Sequence, residues 1–215
     1  MSTRDTVSAS RGDTKLYYSP GACSLASHIA LKEAGLSFEA IKVDGRAKKA
    51  ANGEDYWQVT AKGYVPALRL DDGSVLTEGT AILPYIGDRA PASGLAPAAG
   101  TMDRYRVHEW LGYSNSEVHK GFGPFCVPGP SDEAKATAKA NLGKRFGFVQ
   151  QALEGREFLV GDQFTVADAY LLTVLGWSRI VGIDLGEWPV LKAWHAKIAQ
   201  RPAVQAAMRA EGLIK

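Results

Sequence analysis

Tyr17-Tyr18-Ser19-Pro20-Gly21-Ala22-Cys23-Ser24-Leu25 is the stretch around which the chain is organised. An apolar segment runs into a Pro-Gly turn, and a single cysteine follows where a helix is predicted to begin. The first turn of a helix leaves backbone N–H groups unpaired and carries about half a positive charge. Such a position lowers the pKa of a cysteine from about 8.5 to as low as about 3.5, so we predict a reactive thiol at Cys23. The alternative is a small, inert, buried side chain.

Composition indicates an ordinary globular protein. The chain has 215 residues, of which 46% are hydrophobic and 22% charged, and this suffices for one large or two small domains. A net charge of +2 does not point to nucleic acid or to a membrane as partner. Two cysteines far apart do not form a secreted disulfide framework, so a cytoplasmic location is expected. Residues 1–14 are polar and lack a signal-peptide core, and we interpret them as a disordered extension.

The first half alternates strands and helices. A strand is predicted at Lys15–Ser19, a helix from Ser24 to Gly35, and a second strand at Phe38–Asp44. A strand, a helix and a strand of these lengths favour a parallel pair with a right-handed crossover. Further along, Val65–Leu70 and Ser74–Thr77 flank the dipeptide Asp72-Gly73, which is typical of a hairpin closed by a type I′ turn.

The second half has helical periodicity throughout. Residues 91–100 are rich in Pro, Gly and Ala and read as a linker between an α/β domain (15–90) and an all-helical domain (101–215). The helix predicted at Thr101–Lys120 would carry four side chains on one face: Tyr105, Gly112, Ser116 and His119. Thr165 and Asp168 form a predicted capping box at the start of a very apolar helix.

Four motifs in natural order carry a family resemblance. They are Lys15–Ser24, Gly63-Tyr64-Val65-Pro66-Ala67-Leu68, Leu76-Thr77-Glu78-Gly79-Thr80-Ala81-Ile82 and Glu117-Val118-His119-Lys120-Gly121-Phe122. With them, the region from Lys15 to Lys215 resembles a cytosolic glutathione transferase, most closely the bacterial beta class. The resemblance implies a fold that is α/β plus all-α, with an N-terminal thioredoxin-like domain and a C-terminal helical bundle. It also implies a homodimer.

The resemblance further implies a glutathione site with Cys23 and His119 as catalytic residues. A cis Val65-Pro66 bond would expose backbone groups that pair with the peptide-like ligand. Glu78 would bind the γ-glutamyl amine, and the helix start at Gly79 its carboxylate. The remaining residues implied as glutathione-binding are Ser24, Lys48, Ser116, Glu117 and Lys120. Ser24 would donate its hydroxyl to the ligand sulfur, and Glu117 would reach the site of the neighbouring subunit.

The expected reaction is attack of the glutathione thiolate on a small, largely apolar electrophile. Hydrogen bonds from Cys23 and His119 would favour the thiolate, and Cys23 could also support thiol-disulfide exchange. Tyr113, Phe122 and Trp177 are expected at the second-substrate pocket. Gly112 replaces an asparagine common in the class, which would leave that side more open. The alternatives are a glutathione-dependent dehalogenase or thioltransferase, and a non-catalytic binding protein on the same scaffold.

Overall fold

A computed structural model describes residues 14–215, so the predicted extension lies outside the described residues apart from Thr14. The strands are β1 (Lys15–Tyr18), β2 (Glu39–Asp44), β3 (Lys49–Ala50), β4 (Ala67–Arg69) and β5 (Val75–Thr77). The α-helices are α1 (Ser24–Glu33), α2 (Tyr56–Val59), α3 (Gly79–Arg89), α4 (Met102–Tyr113), α5 (Gly123–Cys126), α6 (Asp132–Leu153), α7 (Val166–Leu175), α8 (Pro189–Ala199) and α9 (Pro202–Ala210). No helix in this part of the chain is long and apolar enough to cross a membrane.

The strands form one mixed sheet in the order β3-β2-β1-β4-β5. β1 and β2 are parallel and are joined through α1, as the sequence predicts, whereas the other neighbours are antiparallel. Ile41 and Val43 are buried while Lys42 and Asp44 are exposed, which confirms the alternation along β2. The predicted fold class, an α/β sheet domain followed by an all-α domain, is confirmed.

The predicted hairpin is confirmed by the pairing of β4 with β5, but its predicted type I′ turn is wrong. A type I′ turn needs positive φ at both central residues. Of Asp72 and Gly73, only Gly73 has a positive φ, at 83°. The Asp72 carboxylate instead accepts hydrogen bonds from the backbone N–H and the hydroxyl of Ser74, at 2.8 and 2.6 Å. The side chain thus stabilises a longer loop in which the aspartate keeps negative φ.

The helix predicted at Thr101–Lys120 is interrupted. It is α-helical to Tyr113 and then widens into a π-helical segment, Ser114–His119. A π-helix has more residues per turn than an α-helix. The predicted common face is therefore wrong: Ser116 is exposed, whereas His119 is turned into the protein and half-buried.

α7 forms the centre of the helical domain, and all ten of its residues are buried. The predicted capping box is confirmed at its start, where the Asp168 carboxylate accepts from the Thr165 N–H at 2.8 Å. Leu95 is also buried, and its carbonyl accepts from the Val166 N–H at 3.0 Å. The predicted linker at 91–100 thus packs against α7, and the exact domain boundaries stay a prediction. α1 packs against α3, α7 and α9, which joins the sheet domain to the helical one.

Candidate active site

The turn between β1 and α1 positions Cys23. Gly21 has a φ of 70°, which glycine adopts without steric cost, and the Ala22 N–H donates to the Ser19 carbonyl at 3.0 Å. Cys23 lies directly before the first helical residue. Its thiol donates to the Val65 carbonyl, with a sulfur–oxygen distance of 3.4 Å. The turn therefore brings the thiol against the segment that leads into β4.

The prediction that the helix start lowers the pKa of Cys23 is wrong. Burial raises the pKa of the thiol to about 11, although the backbone N–H groups of Cys23 and Ser24 act in the opposite direction. The free energy lost when a thiolate is removed from water exceeds the free energy gained from hydrogen bonds with the N–H groups of one helix turn. With this pKa the Cys23 thiol is protonated near pH 7, in agreement with the hydrogen bond that it donates to the Val65 carbonyl.

Ser24 does not have the role expected of its hydroxyl. The side chain is fully buried, and its oxygen donates to the Ser19 carbonyl at 3.3 Å and accepts from the Ser19 N–H at 3.2 Å. These bonds contradict the predicted donation to a ligand sulfur. The hydroxyl instead closes the loop that presents Cys23.

The Val65-Pro66 peptide bond is cis, as the resemblance implied. The carbonyls of the two residues before Val65 are already used, because Gly63 accepts from the Lys48 ammonium at 2.7 Å and Tyr64 from the Tyr56 hydroxyl at 2.8 Å. Within residues 14–215, no acceptor pairs with the Val65 N–H. This leaves one backbone donor beside Cys23 for an added peptide-like strand.

Glu78 lies at the start of α3 in an unusual backbone conformation. Its φ is 71°, which is uncommon for a residue other than glycine and is found disproportionately at functional sites. Its carboxylate pairs with the Lys62 ammonium at 2.7 Å, and the same ammonium donates to the Thr77 hydroxyl at 3.1 Å. Both charged side chains of this pair are more than half exposed, so a polar ligand can reach them.

His119 takes part in a short polar chain. Its Nδ1 lies 2.8 Å from the Tyr170 hydroxyl, which donates to the Asn115 side-chain oxygen at 2.9 Å. Burial, with a smaller effect of the Lys120 charge, lowers the pKa of His119 to about 4, so the ring is neutral near pH 7. Because the Tyr170 hydroxyl donates its proton to Asn115, the hydroxyl oxygen can accept a hydrogen bond from the Nδ1–H of His119. In that tautomer the free lone pair of the ring is on Nε2.

These side chains line a cavity of about 250 Å³. Seven of the predicted site residues contribute to it: Cys23, Val65, Pro66, Glu78, Gly79, His119 and Lys120. The other lining residues, which the sequence analysis did not select, are Lys62, Tyr64, Thr77, Asn115 and Tyr170. Tyr170 carries the one clue among them, because a tyrosine in an otherwise apolar buried helix needs a partner for its hydroxyl.

Four predicted site residues lie outside this cavity. Ser24 is buried behind it, and Lys48 lies beside it, with its ammonium over the rings of Trp57 and Tyr64 at 5.5 and 5.6 Å. Ser116 and Glu117 line a neighbouring cavity of about 370 Å³, in which Glu117 pairs with Arg145 at 3.0 Å. Lys120 lines both cavities and connects the two groups of residues.

The side chains expected at a second-substrate pocket are dispersed. Phe122 is buried behind Trp177, with 5.6 Å between ring centroids. Tyr113 packs against Phe148, with 5.0 Å between ring centroids, and does not line the cavity beside Cys23. Only Trp177 approaches the site, because its ring lies edge-on to His119 at 4.8 Å. A Cβ added at Gly112 would meet no atom within 4 Å, but Gly112 does not line the cavity beside Cys23, so the expected opening of the second-substrate side stays a prediction.

Comparisons with known proteins cover both halves of the chain. The family model for the N-terminal domain of glutathione S-transferases matches residues 21–89, and the model for the C-terminal domain matches residues 113–202. Glutathione S-transferase GstA of Escherichia coli O157:H7 is 46% identical over 199 residues, covering 93% of this chain and 99% of the relative.

Solved structures of similar proteins have the same fold. A sphingomonad glutathione S-transferase complexed with glutathione is 53% identical, with a TM-score of 0.90 and coverage of 93% of this chain and 100% of that one. A bacterial beta class glutathione S-transferase of Sphingomonas chungbukensis is 49% identical, with the same TM-score and the same coverage.

Proposed function

The chain belongs to the glutathione S-transferase family and resembles its bacterial beta class, and we propose that the cavity beside Cys23 is its glutathione site. The enzyme is a glutathione transferase with glutathione as co-substrate, and it conjugates the thiol to small electrophiles. The observation that carries the site assignment is the position of the Cys23 thiol, whose sulfur lies 3.4 Å from the Val65 carbonyl oxygen and in one cavity with His119 and Glu78.

In the proposed arrangement, the cysteinyl part of glutathione pairs with the Val65 backbone, and its sulfur takes the place of the Val65 carbonyl as partner of the Cys23 thiol. A thiol with a pKa of about 11 stays protonated and donates to the incoming thiolate. His119 faces the sulfur as a neutral ring. With Nδ1–H directed at Tyr170, the ring can accept a hydrogen bond from the thiol through Nε2, but with a pKa of about 4 it does not take the proton from the sulfur.

The two carboxylate ends of glutathione have candidate partners. The γ-glutamyl amine binds the Glu78 carboxylate and displaces the Lys62 ammonium from it. The ammonium of Lys62 and the N–H groups at the start of α3 then bind the adjacent carboxylate of the ligand. Lys48 and Lys120 are the cations proposed for the glycyl carboxylate. For Lys48 this requires exchange of its bond to the Gly63 carbonyl, 2.7 Å long.

We further propose a cytoplasmic homodimer in which Ser116 and Glu117 face the partner's glutathione. Both cysteines are free, which suits a reducing compartment. Met102 and Tyr105 lie three positions apart on α4 and are more than half exposed, as expected of side chains that a second subunit covers. Sedimentation velocity measures the assembly, and a monomer at micromolar concentration would contradict the dimer.

Replacement of Cys23 tests its role. If Cys23 only donates a hydrogen bond, Cys23→Ser retains most of the conjugation of a chloronitrobenzene, whereas Cys23→Ala loses about tenfold in kcat/KM, the equivalent of about 1.4 kcal/mol. Disulfide exchange through a mixed disulfide would be abolished in both variants. Loss of conjugation in both variants, with glutathione affinity intact, would instead assign Cys23 as an obligate nucleophile. Failure of the wild-type chain to be retained on immobilised glutathione would contradict the site itself.

A further inference from the structure

Lys48 is one of only two residues other than glycine that have a positive φ within residues 14–215, and the other is Glu78. Its φ of 53° lies in the left-handed region, which is unfavourable for a residue with a Cβ and is found disproportionately at functional sites. Two backbone hydrogen bonds of 2.8 Å fix this conformation, one from the Lys48 N–H to the Asp44 carbonyl and one from the Tyr56 N–H to the Lys48 carbonyl. The fold therefore holds Lys48 in a strained conformation from which its ammonium reaches the Gly63 carbonyl at 2.7 Å.

Two exposed aromatic side chains flank this ammonium. It lies 5.5 Å from the ring centroid of Trp57 and 5.6 Å from that of Tyr64. The two residues are 50% and 74% exposed, which is high for aromatic residues. A cation within about 6 Å of a ring centroid is attracted by the negatively charged face of the ring. The two rings therefore restrict a long side chain that would otherwise sample many rotamers.

The aromatic pair is itself held in place by the surrounding backbone. A Cβ added at Gly63 would lie 2.6 Å from the Trp57 ring, so the backbone there packs directly against the indole. The Trp57 N–H donates to the Asp55 carboxylate at the start of α2, at 3.0 Å. The Tyr64 carbonyl accepts from the buried Tyr56 hydroxyl at 2.8 Å. The segments that carry both rings are thus fixed in front of Lys48.

The aromatic pair lies at the edge of the cavity beside Cys23. Tyr64 lines this cavity and directly precedes Val65, whose N–H is proposed to pair with the cysteinyl part of glutathione. Lys62 also lines the cavity, but its ammonium is paired with the Glu78 carboxylate. Lys48 pairs with no carboxylate within residues 14–215. Its charge is therefore available to an anionic group of the ligand.

We propose that Trp57 and Tyr64 are positioning residues that hold Lys48 for the glycyl carboxylate of glutathione, and that they thereby make the enzyme selective for thiols with this group. The inference rests on the proposed glutathione site beside Cys23. When the carboxylate binds, the Lys48 ammonium exchanges the Gly63 carbonyl for it and stays over the two rings. The rings therefore contribute to the binding of glutathione and not to the chemical step.

The first test compares glutathione with γ-glutamylcysteine, which lacks the glycine. In Trp57→Leu and in Tyr64→Leu, KM for glutathione should rise about threefold to fivefold, with kcat and KM for γ-glutamylcysteine unchanged. Trp57→Phe, which keeps a ring, should retain most of the affinity. The matched control is Gln58→Leu, which changes an exposed neighbour on the same helix and should leave both thiols unaffected. Thermal unfolding shows whether each variant is folded.

The second test combines the ring with the cation. Lys48→Met should raise KM for glutathione about tenfold, and Trp57→Leu added to it should have no further effect, because the ring then has no cation to hold. Losses that multiply in the double variant, or equal losses for glutathione and γ-glutamylcysteine, would overturn the positioning role. Equal KM values of the wild-type chain for both thiols would also overturn it. Absence of any turnover with glutathione would instead contradict the proposed function.

Discussion

A glutamate contact links each end of helix α1 to the helical domain, and the two contacts differ in their exposure to solvent. Near its start, the Glu211 carboxylate accepts from the Gly21 N–H and lies against His28 Nδ1, both at 2.9 Å, with both side chains buried. At its end, Glu33 pairs with Arg201 through two contacts of 2.6 and 3.0 Å, and about a third of the arginine side chain is exposed. The same residue type thus makes a buried contact behind Cys23 and a partly solvated one far from it.

The buried contact of Glu211 positions the turn before Cys23, whereas the partly solvated contact of Glu33 only holds the end of α1 against the helical domain. Breaking a buried charged contact leaves polar groups without partners, which costs about 3–5 kcal/mol, whereas an exposed ion pair contributes about 0–1 kcal/mol. The Glu211 contact also fixes a backbone group two residues before the thiol. We therefore expect the start of α1 to control both stability and chemistry, and its end to contribute a little stability only.

The largest effect is expected for Glu211→Ala, which leaves His28 and the Gly21 N–H unpaired. The free energy of unfolding should fall by about 3–5 kcal/mol, measured by urea denaturation. Glu211→Gln, which keeps an acceptor for Gly21, should recover part of this loss. A loss no larger than that of Glu33→Ala would show that burial does not distinguish the two ends.

The second expectation concerns the reactivity of Cys23, measured by iodoacetamide alkylation in a Cys126→Ser background. Because burial raises the pKa of Cys23 to about 11, the rate should rise with pH up to that value. Near pH 8 the rate should be more than about tenfold below that of a free cysteine, whose pKa is about 8.5. Glu211→Ala should lower the apparent pKa by exposing the thiol, and Glu33→Ala should leave it unchanged. A wild-type profile that levels off below pH 8 would contradict the burial argument.

A smaller effect is expected for Trp177→Phe. The substitution removes the donor of the 2.8 Å bond to the Gly21 carbonyl but keeps an aromatic ring beside His119. The loss of one hydrogen bond should cost about 1 kcal/mol of stability and lower kcat/KM a few-fold. Thermal unfolding and steady-state kinetics measure the two quantities, and unchanged kinetics would mean that the turn is held by Glu211 alone.

The smallest effect is expected for Glu33→Ala at the other end of the helix. Arg201 keeps its position over the Phe164 ring, 4.3 Å from the centroid, so only the ion pair is lost. Stability should fall by about 0.5–1 kcal/mol, with kcat and KM for glutathione unchanged. A change in kcat would indicate that the whole helix, and not only its first turn, positions the thiol.

Local sequence rules predicted elements of both domains. The alternation along β2, the β4–β5 hairpin and the capping box at Thr165 and Asp168 each depend on neighbours within a few positions, and all three are confirmed. Two of the wrong predictions arise where a side chain forms a hydrogen bond that the local rule did not include. The Asp72 carboxylate accepts a hydrogen bond from the Ser74 N–H in a loop that is not a type I′ turn, and the Ser24 hydroxyl donates to the Ser19 carbonyl.

The site was predictable only as far as motifs reach. Cys23, Val65, Glu78 and His119 line one cavity, as the resemblance implied. Lys62 and Asn115 have no local signature, and the only clue to Tyr170 is its hydroxyl in a buried, mainly apolar helix. The π-helical segment brings Asn115, rather than Ser116, to the side of His119. The pKa of Cys23 also depends on how deeply the folded chain buries the thiol, and no pattern of neighbouring residues encodes that burial.

The hydrogen bond between Gly21 and Glu211 spans 190 positions of the chain. Contacts of such long range are slow to form, because the entropy of closing a large loop must be overcome before the contact contributes. We therefore expect helices and sheet to form well before the turn at Cys23 reaches its final geometry. In refolding from urea, recovery of conjugating activity should lag behind the recovery of helical circular dichroism.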